Sequence, residues 1–316
     1  MGYTKEEQII IDFWAGVEAG NKADNSGVIP EGWRTERHLP YIQDYNPDHT
    51  LNLYYPVSHN EGESKLPAII NIHGGGWMFG HVDDSENYMA QLAACGYAVM
   101  GMGYRLVPCT DIGGIVKDVY ASLHWLEEYG PKRGFDLSRV MLTGDSAGAH
   151  LALLAACIQE SPELQKIYGV TPFSFSINTV GISCPAVEME SLRIISSWDK
   201  DEEARITQAY IDLMLGEQGK AAPWSKALSF SDFIKFVDDP AVLPPVFLIG
   251  SENESLHDQT KQLVRQFDEL GIRYESLIWK KEDGPHLIHV FNVERWEWLE
   301  SRISRDRMLD FFNRSM

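Results

Sequence analysis

Apolar residues along the chain fall into two kinds of run, short continuous blocks and longer stretches in which they recur every three or four positions. The continuous blocks read as buried strands: Leu66 to Ile72, Tyr97 to Met102, Arg139 to Leu142, Thr179 to Ser183, Pro245 to Gly250 and Tyr274 to Trp279. Helical spacing occupies the intervals, over Ser85 to Cys95, Asp111 to Tyr129, Ala147 to Ile158 and Asp258 to Leu270, and a last helix is expected over Val293 to Phe312. Strands that alternate with helices in this way predict a mainly parallel sheet covered on both faces.

Three regions depart from the rhythm. Thr4 to Gly20 carries Ile9, Ile10, Phe13, Trp14 and Val17 at helical spacing behind a Thr-x-x-Glu start, so residues 1–40 read as an amphipathic helix and a polar segment. Tyr41 to Tyr45 and Leu51 to Tyr55 alternate about Asn46-Pro47-Asp48 and predict a hairpin at a sheet edge. Residues 188–239 contain no strand-like run; with Leu192, Ile194, Ile195, Trp198, Tyr210, Trp224 and Phe233 they read as a helical cap inserted between two strands, a source of pocket walls. The chain of 316 residues is then one domain with that insertion.

Charge narrows the partners. With 46 acidic against 27 basic side chains the formal charge is −19, which argues against nucleic acid, anionic membranes and polyanionic substrates. No apolar run reaches transmembrane length and the start lacks a basic segment leading into an apolar one, so a cytoplasmic protein is expected. Cys95, Cys109, Cys157 and Cys184 are scattered without Cys-x-x-Cys spacing and read as buried thiols rather than disulfides or a zinc site. Neither a metal nor a cofactor is called for. No His-Glu-x-x-His or phosphate-binding glycine motif is present.

Two glycine-rich stretches carry the chemistry. Gly144-Asp145-Ser146-Ala147-Gly148 joins a strand to a long apolar helix, and a serine in so tight a turn is exposed at the strand end. His73-Gly74-Gly75-Gly76-Trp77 ends another strand, and its unshielded N–H groups can face an oxyanion. Acyl transfer by serine also needs a base and an acid beyond the strands' C-terminal ends. The loop after Ile249 is placed for the acid, with Asn253, Glu254 and Asp258 as candidates; the loop after Trp279 holds His286 and His289.

In this order these motifs, with Tyr104-Arg105-Leu106 between them and His289-Val290-Phe291 last, resemble the α/β-hydrolase esterases of the hormone-sensitive-lipase and acetyl-esterase type, over about Leu51 to Val293. The resemblance implies an α/β-hydrolase fold, a Ser, Asp/Glu, His triad and cofactor-free hydrolysis of carboxylic esters. Its His-x-Phe pattern matches His289 as the base. Its aspartate position, three after a strand-end glycine, is Asn253 here, whereas Glu254-Ser255-Leu256 keeps the acid-x-Leu spacing. An asparagine would not stabilise an imidazolium, so Glu254 is preferred over Asp258, whose place suits a helix cap. The resemblance assigns the oxyanion hole to the N–H groups of Gly75, Gly76 and Ala147.

The reading expected is a serine carboxylesterase for short-chain, acetyl-type esters, acting on a small neutral substrate, with homodimer formation left open. Arylformamidase or amidase action and sugar-ester deacetylation use the same machinery. A hydrolase-like binding protein is the alternative from another class.

Overall fold

The block from Val140 to Leu142 lies fully buried inside a strand near the middle of an eight-stranded sheet. The computed structural model describes residues 2–24, 30–59, 64–192 and 200–316. Its strands are β1 (Trp33–Pro40), β2 (Thr50–Pro56), β3 (Leu66–Ile72), β4 (Ala98–Met102), β5 (Phe135–Asp145), β6 (Thr179–Ser183), β7 (Val246–Ser251) and β8 (Tyr274–Trp279). They lie in the order β1-β2-β4-β3-β5-β6-β7-β8. Among the described residues only β1 with β2 and β2 with β4 pair antiparallel; the rest of the sheet is parallel.

The α-helices are α1 (Lys5–Asp24), α2 (Glu86–Ala94), α3 (Ile112–Tyr129), α4 (Ala147–Glu160), α5 (Pro162–Tyr168), α6 (Lys200–Leu215), α7 (Phe230–Phe233), α8 (His257–Leu270), α9 (Phe291–Glu294) and α10 (Leu299–Ser315). Side chains alternate across the strands, so each strand feeds two cores. On one face Ile70, Ile72 and Leu142 pack with α3, α4 and α8. On the other Ile69, Met141 and Phe247 pack with α2 and α10. Strands β4, β6 and β7 are buried throughout because helices cover both faces, whereas the edge strand β8 is only partly buried.

Several elements differ from the pattern-based expectation. The hairpin exists, but its first strand is Trp33–Pro40, and Tyr41 to Tyr45 form the bend that follows. There the Tyr41 hydroxyl donates to Gly103 O at 2.9 Å, so its aromatic ring anchors a turn rather than a strand. The single C-terminal helix is two, α9 and α10. Helix α5 was not anticipated; the Ser161 side chain caps it by accepting from Leu164 N–H at 3.2 Å. Cys157 and Cys184 are buried, whereas Cys95 and Cys109 are exposed, since both sit in the loops that leave the apolar runs.

Between β6 and β7 the described residues contain α6, α7 and short 3₁₀ turns, with no strand. Ile194, Ile195 and Trp198 lie outside the described residues. Helix α6 packs against α1. Among the described residues no helix is long and apolar enough to cross a membrane.

Candidate active site

Strand β5 ends at Asp145, α4 begins at Ala147, and the one residue between them is Ser146. Its backbone has φ 50° and ψ −115°, a left-handed conformation that costs a non-glycine residue about 1–3 kcal/mol. Three hydrogen bonds hold it there. Ser146 N–H donates to Ser183 O at 2.9 Å, and Ser146 O accepts from Ala186 N–H at 3.2 Å and His150 N–H at 3.3 Å. The turn also requires Gly148, because a β-carbon there would overlap Ile72 O at the end of β3.

From this turn the Ser146 hydroxyl meets His289 Nε2 at 3.0 Å. On the other side of the ring, His289 Nδ1 is 3.0 Å from Glu254 Oε2. A carboxylate oxygen only accepts, so Nδ1 carries the proton and Nε2 is left to accept from the serine. The Glu254 side chain is fully buried while that of His289 is 31% exposed, which leaves the imidazole as the member of the relay facing the pocket. Glu254 is itself fixed: its Oε2 accepts from Leu256 N–H at 2.7 Å and its Oε1 from the Thr260 hydroxyl at 3.4 Å.

The competing candidates lie elsewhere. Asp258 opens the first turn of α8, pairs with Lys261 at 2.6 Å and has a side chain 91% exposed. Asn253 donates its amide to Gly284 O at 2.9 Å, bracing the loop that carries the histidines. His286 stands against the edge of Trp298, 3.8 Å from Glu300.

The glycine loop approaches Ser146 from the end of β3. Among the described residues, the N–H groups of Gly75 and Gly76 meet no protein acceptor. Gly74 N–H, by contrast, donates to Asp145 Oδ1 at 3.3 Å. Burial pushes the Asp145 carboxyl up to about 6, against the opposing pull of His289. His73 braces the loop: its Nδ1 donates to Gly74 O at 2.7 Å, and its ring stacks on Tyr104, whose hydroxyl donates to His73 O at 2.8 Å. His150, one turn into α4, donates from Nε2 to Leu228 O at 2.7 Å. Burial holds both imidazoles down at about 4, so they are neutral structural groups at neutral pH. Arg105 holds Asp118 at 2.7 Å behind the loop.

A cavity of about 210 Å³ reaches Ser146 and His289. Its walls come from Trp14 and Val17 of α1, the glycine loop with Phe79, Tyr88 of α2, and Val290 and Val293 beyond the histidine. Helix α6 contributes no lining residue among those described; it stands behind the wall, where the Tyr210 hydroxyl donates to Gly76 O and its ring lies 6.4 Å from that of Trp14. Sequence patterning offers residues 188–239 as a source of pocket walls and the N-terminal helix as a second element that shapes the pocket, but does not single out Trp14, which reads as one more apolar position of an amphipathic helix. A larger groove of about 640 Å³, lined by Asn178, Arg273 and Tyr274, lies at the opposite strand ends and holds none of the relay residues.

A mainly parallel sheet with a serine turn, a histidine and a buried carboxylate in hydrogen-bonded sequence at its C-terminal edge defines the class of serine hydrolases built on a doubly wound sheet. Comparison with known proteins agrees. The family described as the alpha/beta hydrolase fold matches residues 69–291, and the chain belongs to it. The carboxylesterase NlhH of Mycobacterium tuberculosis is 26% identical over 83% of this chain and 76% of its own. An ethyl acetate hydrolase of Pseudomonas putida is 33% identical over 73% and 69%. Among solved structures, esterase B of Lactobacillus rhamnosis is 41% identical, with a TM-score of 0.88 over 98% of this chain and 96% of that one. That enzyme has also been solved inhibited by a tributyrin phosphonate. The protein is a carboxylic ester hydrolase.

Proposed function

We propose that the chain hydrolyses esters of short acyl chains with small neutral alcohols through an acyl-enzyme on Ser146. The observation that carries this reading is the pair of 3.0 Å contacts from Ser146 to His289 and from His289 to Glu254. His289 Nε2 takes the hydroxyl proton as Ser146 Oγ attacks the ester carbonyl, and Glu254 stabilises the imidazolium that results. The tetrahedral oxyanion lies against the N–H groups of Gly75, Gly76 and Ala147, the last at the positive end of α4. Collapse expels the alcohol, protonated by His289. Water, deprotonated by the same ring, then releases the acid.

Short acyl chains fit a cavity of about 210 Å³, and esterase B of Lactobacillus rhamnosis has been solved inhibited by a C4-C4 tributyrin phosphonate. Neutral esters fit a chain of formal charge −19. In this reading the 316 residues form one α/β-hydrolase domain, and residues 188–239 are a cap that backs the wall made by α1.

The test is the rate of Ser146→Ala on p-nitrophenyl acetate and butyrate. A loss of about 10⁴-fold or more in kcat is expected; a variant as fast as the parent would refute the proposal. Acetylated sugars and formanilides, run in the same panel, are expected to be slower than acetate and butyrate esters.

A further inference from the structure

The end of β6 fastens all three members of the relay. Ser183 O and Ala186 N–H bracket the backbone of Ser146. Cys184 N–H donates to Ile249 O at 2.9 Å, in the strand that leads to Glu254. The segment carrying the histidine is tied to the same place by two contacts: Asn292 Nδ2 donates to Ser183 Oγ at 2.9 Å, and Val290 N–H donates to Cys184 Sγ at 3.4 Å.

Cys184 and Val290 both have left-handed backbones, with φ 44° and 51°. Neither is glycine, so each conformation persists only where neighbours impose it. Val290 directly follows His289, and its N–H is the donor that Cys184 captures. The Cys184 side chain is fully buried. Its sulfur, a Glu254 oxygen and a His289 nitrogen all lie within 4.8 Å of one another.

We propose that Cys184 is a positioning residue for His289: by accepting the Val290 N–H, its sulfur fixes the turn that sets the imidazole between Ser146 and Glu254. The proposal rests on the triad reading above. A thiol suits the place. Its sulfur lies within 4.8 Å of the imidazole, yet a neutral sulfur is too weak an acceptor to draw the Nδ1 proton away from Glu254. Burial, and then the Glu254 charge, push the thiol well above its ordinary range, so it adds no second anion beside the carboxylate.

The measurement compares Cys184→Ala, which removes the acceptor, with Cys184→Ser, which keeps one. For p-nitrophenyl acetate, Cys184→Ala is expected to lower kcat about ten- to a hundredfold with KM changed less than about twofold, as a displaced catalytic group does. Cys184→Ser is expected to stay within about threefold of the parent kcat. Cysteine, carboxylate and imidazole are also zinc ligands, so the parent is assayed after dialysis against EDTA, where full activity is expected.

The proposal is overturned if Cys184→Ala keeps the parent kcat, if its loss lies in KM, if a folded Cys184→Ser is as slow as Cys184→Ala, or if EDTA abolishes activity that zinc restores. Should Cys184→Ala fail to fold, Cys184→Ser decides alone: a rate near the parent's supports the role and a folded, slow variant refutes it. Ser146→Ala run alongside separates the failures. If it keeps the parent rate the triad reading falls, taking the positioning role with it; if it loses the rate while Cys184→Ala does not, only the positioning role falls.

Discussion

At the scale of single residues, the acid is where chemistry and pattern pulled apart. The family spacing pointed to position 253, which is asparagine, and two carboxylates followed it within five residues. Environment separates them: the Glu254 side chain is fully buried and accepts from Leu256 N–H, while that of Asp258 is exposed and paired with Lys261. A carboxylate that stabilises an imidazolium must be desolvated and oriented, and Glu254 alone is both. Glu254→Gln, which keeps the size but loses the charge, is expected to lower kcat/KM by about 10³- to 10⁴-fold. Asp258→Asn is expected to change it less than about twofold. Steady-state assays on p-nitrophenyl butyrate decide, and a reversed order would move the acid to Asp258. Ser146, Glu254 and His289 were all legible as candidates because motif order and strand ends confine them. Cys184 was not. Its sulfur meets Val290 across 106 positions of sequence, a contact that no local pattern encodes.

At the scale of elements, legibility followed apolar content. Strands β3, β6 and β8 match the expected bounds residue for residue, β8 although none of its residues is fully buried, whereas β5 runs from Phe135 to Asp145, beyond its apolar block at both ends. The edge strand β1 was not read, since Arg34, Thr35, Glu36 and Arg37 give it a polar run with no apolar alternation. Its pairing with β2 is made by backbone groups, which leave no trace in hydrophobic spacing. Helix α1 was read from its amphipathic pattern as an element that helps shape the pocket, but which of its residues faces the cavity was not, because Trp14 is apolar for a core and apolar for a pocket alike. Its ring stacks on Phe79 at 5.4 Å between centroids and crowds Gly76, where a β-carbon would overlap the indole. That places the indole as a wall of the cavity. Trp14→Ala is accordingly expected to shift the chain-length profile of kcat/KM from acetate and butyrate toward hexanoate and octanoate, while the rate on acetate falls less than about tenfold. A profile unchanged in a folded variant would mean that α1 does not limit the acyl group.

At the scale of the whole molecule, the site's buried titratable groups set how stability responds to acid. His73 and His150 stay neutral in the fold down to about pH 4 but protonate in the unfolded chain near 6.5. The unfolded chain therefore binds more protons, and stability is lost as pH falls through that window, by up to about 3 kcal/mol for each ring. Asp145 acts in the opposite sense: its folded value of about 6 lies above the ordinary 3.8, so it contributes least at neutral pH and regains stability as pH falls from 6 toward 4. Two rings outweigh one carboxyl. The melting temperature of the parent is expected to fall between pH 6.5 and 4.5, and that of His150→Gln, which keeps a donor for Leu228 O, to fall less. Parallel slopes would contradict the assignment.

The proposed chemistry turns on one atom, Ser146 Oγ. Its most direct test is intact-mass measurement and peptide mapping after reaction with a fluorophosphonate. One adduct per chain on the peptide that carries Ser146, formed in step with loss of esterase activity and slowed in His289→Ala, is the predicted result. Activity that persists in the modified protein, or an adduct on any other residue, would contradict it.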